Sequence, residues 1–250
     1  MRKKRKSALN KDLNIKNRKA YGTEASIKLY DSHKGKILES EKKLIKEYFK
    51  GKILDLGCGC GRTTKYLSDK KYNVVGVDIT KGMINLAKKR YPKINFQVGD
   101  ACELNFPDKT FDVVFFSYNG LDYIYPEEKR ILAIKEISRV LKGEGIFIYS
   151  SHNPKALLQQ FRPRFILRNL LGGFLFSKYK DEKQNFGHLY TYYASPEQQK
   201  FLVEKNTPMK LFNMCLNTKD PLHPHYVFKK QKGKLKHNGR KRNRQKKSKI

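Results

Sequence analysis

The chain has 250 residues, with 55 Lys and Arg against 23 Asp and Glu, for a formal net charge of +32. That length suits one domain with a sizeable core, and so basic a balance points to polyanionic surroundings. The four cysteines form no metal-ligand pattern, and the N-terminus has no apolar run of the secretory kind, so a metal-free, reducing, cytoplasmic setting is expected.

The charge is concentrated at the ends. Residues 1–20 hold nine Lys/Arg against one acid and residues 229–250 hold twelve against none, which puts +20 in the ends and +12 between them. Segments this basic, with so few apolar residues, are expected to be disordered. The reading is therefore an arm over residues 1–20, a domain over 21–229 and a tail over 230–250. The ends suit RNA, another polyanion or an anionic membrane, or they reflect a lysine-rich composition that keeps the chain in solution. MRKKRK and GRKRNRQKK also resemble nuclear-import signals, which a eukaryotic chain would use.

After the arm, apolar residues at helical spacing predict helices over 21–30 and 37–49, stopped by Gly51. Residues 52–64, KILDLGCGCGRTT, read as a buried strand running through Asp55 into a turn with glycine at 57, 59 and 61. Such a turn leaves no side chain to obstruct a docked molecule, and Arg62 then opens a helix. A second strand over 73–77 ends on Asp78, 21 residues past Gly57, and a third over 94–98 precedes Asp100. Three strands delivering polar residues to one sheet edge describe a site for one extended ligand. The turn is not a dinucleotide fingerprint, because G-x-G-x-x-G requires glycine where Arg62 stands.

Thr80 is placed to cap the next helix, in which Met83, Ile84 and Ala87 repeat at helical spacing. Residues 111–116 are apolar as a central parallel strand should be, and they deliver Ser117, Tyr118, Asn119 and Gly120 to the ligand edge. A helix over 127–141 and a strand over 145–150 follow. His152, just past that strand, is a candidate general base or else a strand-end cap. Residues 154–187 depart from the compact core, mixing aromatics and leucines with Arg162, Arg164 and Arg168. They read as a lid hinged at Gly172-Gly173, as an amphipathic patch on a membrane, or as a helical pair on the sheet. Within them FILRNLLGGFLF is too short and interrupted to cross a bilayer. His188, Tyr190 and Tyr192 then contact an acceptor or join the core, Ser195 caps a helix, and strands over 209–217 and 225–228 complete the domain.

The combination of ILDLGCGCG, VVGVDIT, VGDA and EISRVLKGEGIFIY resembles class I S-adenosylmethionine-dependent methyltransferases, over roughly residues 21 to 229. The resemblance implies an α/β, Rossmann-like seven-stranded sheet with its last strand antiparallel and helices on both faces. It implies S-adenosylmethionine as cofactor, with Asp55, Gly57 and Gly59 at the methionine end and Cys58 and Gly61 in the same turn. Asp78 would hold the ribose beside Ile79, and Asp100 with Ala101 would meet the adenine. Ser117, Tyr118 and Asn119 would face the methyl group and its acceptor.

By the same resemblance, leading helices cover the cofactor, so Tyr21 and Tyr30 either line the site or only pack. The insert between the fifth and sixth strands shapes the acceptor pocket, which makes Arg162, Arg164, His188 and Tyr190 substrate or lid candidates. The sulfonium already makes the methyl electrophilic, so the protein mainly aims a nucleophile. The Asn/Asp-Pro-Pro-Tyr sequence and the Pro-Cys pair of base methylation are both absent. A small-molecule or lipid-like acceptor is therefore favoured. The alternatives are a nucleic-acid-associated methyltransferase gripping RNA with its tails, and a catalytically inactive cofactor-binding module acting through those tails.

Overall fold

The computed structural model describes residues 15–32, 36–159, 163–171, 177–184, 186–217 and 220–232. At its centre β1 (Lys52–Leu56) lies between two parallel neighbours, β2 (Asn73–Asp78) and β4 (Phe111–Phe116), with Asp55 opposite Gly76 and Phe115. β3 (Asn95–Val98) extends the sheet on one side and β5 (Leu141–Ser150) on the other. Beyond β5, β9 (Asp220–Lys230) runs antiparallel to both β5 and β8 (Met209–Asn217). The order is β3-β2-β1-β4-β5-β9-β8, so the seven-stranded sheet with its last strand antiparallel is the one expected.

Alternate residues of these strands feed two cores. Leu54, Leu56, Val114, Phe147 and Tyr149 join one cluster with Ile134 and Val203, while Ile53, Val113, Phe115 and Ile148 join another with Leu44 and Leu67. Covering the first face are α5 (Glu127–Val140) and α7 (Pro196–Asn206); covering the second are α2 (Glu39–Tyr48) and α3 (Arg62–Asp69). Each fully buried Leu, Ile or Phe contributes about 1.5–3 kcal/mol, so a sheet covered on both faces needs its near-continuous apolar strands. Ser195 accepts from Gln198 N at the start of α7 as expected, whereas Thr80 occupies the cap position of α4 (Lys81–Arg90) without a side-chain cap bond.

The N-terminal region differs from expectation in two ways. Residues 15–21 are helical, with Asn17 and Ala20 buried, so a disordered arm reaching residue 20 does not describe them. The cause is a side-chain clamp: Asn17 Nδ2 donates to the Tyr123 and Tyr190 carbonyls at 2.8 and 3.2 Å, and Tyr190 N donates back to Asn17 Oδ1 at 2.8 Å. The single helix expected over 21–30 is broken at Gly22. It restarts as α1 (Glu24–Ser32) because Thr23 Oγ1 accepts from Ser26 N. Residues 1–14 and 233–250, which carry most of the basic ends, lie outside the described residues.

The insertion also has its own architecture and ends later than residue 187. A short 3-10 segment (Pro154–Gln159) and α6 (Pro163–Leu171) precede a separate hairpin of β6 (Tyr179–Gln184) and β7 (Gly187–Tyr192). Arg162 and the Gly172-Gly173 pair lie outside the described residues.

Candidate functional site

The carboxyl ends of β1, β2, β3 and β4 open into one cavity, with the glycine turn as its floor. Gly57 and Gly59 have φ of 68° and 53°, the left-handed region that side chains disfavour. A Cβ on Gly57 would stand 2.6 Å from the Phe116 ring, so the turn tolerates no side chain there. Asp55 lines the cavity and is buried, and Thr64 Oγ1 donates to its Oδ2 at 2.6 Å. Burial pushes the Asp55 carboxyl up to about 7, against the opposing pull of Thr64 and the Arg62 charge.

Arg62, the residue that breaks the dinucleotide pattern, has a structural task. Its guanidinium grips Glu41 of α2 with two bonds of 2.6 Å, donates to the Lys36 carbonyl at 2.9 Å, and lies 5.1 Å over the Tyr118 ring. Glu41 is fully buried and also accepts from Leu38 N and Ser117 Oγ. Although burial pushes its carboxyl up, Arg62, Ser117 and the Leu38 amide hold it below the ordinary glutamate range. Sequence reasoning missed Glu41 altogether. The one local signal was an arginine where a glycine is usual in phosphate-binding turns.

Asp78 and Asp100 stand on the same wall. Asp78 accepts from Gly59 N at 2.9 Å and Thr80 N at 2.8 Å, one bond to each oxygen, which leaves lone pairs on both. Ile79 beside it is a large apolar side chain left 37% exposed. Asp100 accepts from Cys102 N and from Arg18 of the N-terminal helix, the latter at 2.5 Å. A nucleoside with a cationic tail fits this donor set: carboxylate acceptors for hydroxyls, an apolar strip for a flat base, and Asp55 for positive charge.

The opposite wall is aromatic. Tyr21 packs on Tyr30, Tyr123 and Phe186 with ring centroids 5.7, 5.2 and 5.9 Å apart, and Tyr30 meets Tyr118 edge-on at 6.2 Å. These rings come from four separate stretches, the turn of the β6–β7 hairpin among them. Burial raises the phenols of Tyr21, Tyr30 and Tyr123 above their ordinary value, so all three stay neutral at physiological pH. Tyr118 and Asn119, with φ of 58° and 59°, form a left-handed pair that turns the chain back along the cavity, and Asn119 N is anchored on Ser150 Oγ at 2.8 Å. Such left-handed non-glycine residues cost about 1–3 kcal/mol each.

Residues 53–145 match the family model described as a methyltransferase domain. These residues thus carry a methyltransferase domain. The sheet around them has the class I methyltransferase fold. YqeM of Bacillus subtilis, named as an unproven methyltransferase, is 32% identical over 115 residues, 45% of this chain and 47% of its own. A demethylmenaquinone methyltransferase of Paenarthrobacter aurescens is 31% identical over 121 residues, 48% of this chain and 46% of its own. The chain thus spans about half the length of the curated relatives it matches. A crystal structure of a Methanosarcina mazei SAM-dependent methyltransferase superposes with a TM-score of 0.65 at 20% identity, over 75% of this chain and 97% of that one.

Within this methyltransferase fold the cavity gathers Asp55, Gly57, Cys58, Gly59, Asp78, Ile79, Asp100, Ala101, Ser117, Tyr118, Tyr21 and Tyr30. Gly61 is left out: it is the left-handed cap of α3, where a Cβ would meet Phe96 at 2.7 Å. Arg164 is exposed on α6, His188 bonds Asp181 at 2.8 Å, and Tyr190 is buried against the Asn17 clamp. His152 stands behind the cavity wall. Its Nδ1 and backbone N both meet Asp122, at 2.8 and 2.7 Å, and its Nε2 faces Asn119 Nδ2 at 3.4 Å. Asp122 is fully buried and paired with Arg130 at 2.9 Å. The His152–Asp122 pair therefore braces the segment Gly120–Tyr123, and His152 is not among the residues that line the cavity.

Proposed function

We propose that the protein transfers the methyl group of S-adenosylmethionine to a small, apolar or lipid-like acceptor. The observation that carries this reading is the cavity itself, carboxylates on one wall and neutral tyrosines on the other. Asp78 and Asp100 bind and orient the nucleoside, and Gly57 and Gly59 let its chain lie against backbone. Bound here, the sulfonium supplies an electrophilic methyl. The protein's part is to exclude water and hold the acceptor in line, a contribution of the kind that proximity makes to bimolecular steps.

The aromatic wall selects the acceptor. Rings of Tyr21, Tyr30, Tyr118 and Tyr123 line it and offer flat surface, which suits a ring or a chain better than a phosphate backbone. The relative named for demethylmenaquinone supports the same class. The candidate lid is the 154–187 insertion together with the rest of the hairpin, since Phe186 packs on Tyr21 and Tyr30, which line the cavity. His152, set behind the wall, acts as a positioning residue for the turn rather than as the base.

The test is transfer of labelled methyl from S-adenosylmethionine into a cell extract divided into lipid, small-molecule, RNA and protein fractions. Label in the lipid or small-molecule fraction is expected, unchanged in a chain lacking residues 1–14 and 233–250. Label confined to RNA, and lost with those ends, would overturn this reading in favour of a nucleic-acid acceptor.

A further inference from the structure

Helix α6 leaves most of its apolar side chains on the outside. Its sequence is PRFILRNLL, and its apolar residues are expected to face inward. Phe165 does, at 7% exposure, but it shares the inner face with the fully buried polar Asn169, while Ile166, Leu167, Leu170 and Leu171 are 36%, 56%, 54% and 80% exposed. This orientation is fixed by hydrogen bonds. Asn169 Nδ2 donates to the Phe165 and Asp181 carbonyls at 3.0 and 3.2 Å, and Asp181 N donates to Asn169 Oδ1 at 2.9 Å. Arg168 adds two further bonds to the Asp181 carbonyl, at 3.2 and 3.0 Å. An asparagine that satisfies strand β6 on one side forces the leucines to the other.

We infer that the outward face of α6 is an interfacial anchor that lies on an anionic lipid bilayer. Four large apolar side chains on one face, flanked by the exposed Arg164, have the make-up of a helix seated at the headgroup boundary. Charge complementarity selects the lipid: the chain carries +32, and basic segments attract anionic headgroups at about 1 kcal/mol per side chain. No described helix is long and apolar enough to cross a membrane, so the contact is with one leaflet. The anchor also reaches the cavity. α6 holds β6, β6 pairs with β7, and Phe186 at their turn packs on Tyr21 and Tyr30. Docking would bring the aromatic wall beside the bilayer, where an apolar acceptor is dissolved.

The chain contains no tryptophan, so Leu171→Trp introduces a single fluorescent reporter on the helix. In the full-length protein its emission should shift to shorter wavelength on addition of mixed phosphatidylglycerol–phosphatidylcholine vesicles. Leu167→Glu combined with Leu171→Glu should lower vesicle partitioning by about tenfold or more in a flotation assay. S-adenosylhomocysteine affinity, which reads the cofactor pocket and not α6, should be unchanged in both variants; if it falls, Leu167→Ser with Leu171→Ser replaces the charged pair. Three results would overturn the anchor. One is vesicle binding with an unshifted tryptophan, which leaves the basic ends alone responsible. Another is flotation of the double variant equal to wild type. The last is a dimer that the double variant dissociates while neither form floats, which gives the face to a second copy of the chain.

Discussion

Arg62 and Glu41 form a two-pronged ion pair, 2.6 Å on each prong, that ties the helix after the glycine turn to α2 on the second face of the sheet. Glu41 is fully buried, so its charge depends on the guanidinium and on Ser117 and Leu38 N. Removing one partner of such a pair leaves an uncompensated charge in the interior and costs about 3–5 kcal/mol. Arg62→Met should therefore destabilise the fold by that amount in denaturant unfolding, and Glu41→Gln should cost less, because the Arg62 guanidinium it leaves behind is 12% exposed and keeps the Lys36 carbonyl. Equal, small effects from both would mean that the pair is solvated in solution.

Asp55 gives a pH prediction of opposite sign to the ordinary carboxylate. Its folded value of about 7 lies above its ordinary value of 3.8, so the folded state binds the proton more tightly. Its contribution to stability is thus present at low pH and declines as pH rises from about 4 to 7. Affinity for a cationic ligand runs the other way, because only ionised Asp55 attracts positive charge. Binding of S-adenosylhomocysteine, with its ammonium group, should strengthen about tenfold between pH 6 and pH 8, and Asp55→Asn should flatten that rise. A profile equally steep in the variant would move the titration to another group.

The Asn17 clamp predicts that the N-terminal helix is structural. Asn17→Ala leaves the Tyr190 amide and two carbonyls without their partner, which costs about 1–3 kcal/mol for each buried group left unpaired. Amide exchange of the hairpin strand Gly187–Tyr192 should accelerate, with the central strand β1 unaffected. Unchanged exchange at Tyr190 would show that the clamp does not hold the hairpin.

His152 should behave as a positioning residue. With its Nδ1 on Asp122 and its Nε2 on Asn119, its loss loosens the segment Gly120–Tyr123 and its tyrosine. His152→Ala is expected to raise KM for the acceptor more than it lowers kcat, with His152→Asn restoring part of the loss. A fall in kcat alone, together with loss of the acidic limb of the pH–rate profile, would make His152 the base instead.

Much of this site was legible because its signals are local. A strand, a glycine turn and a carboxylate at each strand end sit within a few residues of one another, and β1, β2 and β3 appear within one residue of their expected ends. What was illegible depends on partners distant in sequence. Asn17 looks like any residue of a basic arm until Tyr190 is beside it, and Glu41 looks like a surface acid until Arg62 arrives. Strand β6, YKDEKQ, falls within the stretch expected to be a lid, a membrane patch or a helical pair, yet it is a strand in which Lys180, Asp181 and Glu182 are buried. The left-handed pair at Tyr118 and Asn119 has no glycine to announce it.

The most direct test of the account is calorimetric titration of S-adenosylmethionine into the full chain and into Asp78→Ala. The wild type should bind one equivalent, and the variant should bind at least about tenfold more weakly, since charge-assisted hydrogen bonds of about 1.5–3 kcal/mol each are lost. No binding by the wild type, or equal affinity in the variant, would contradict the assignment of this cavity to the cofactor.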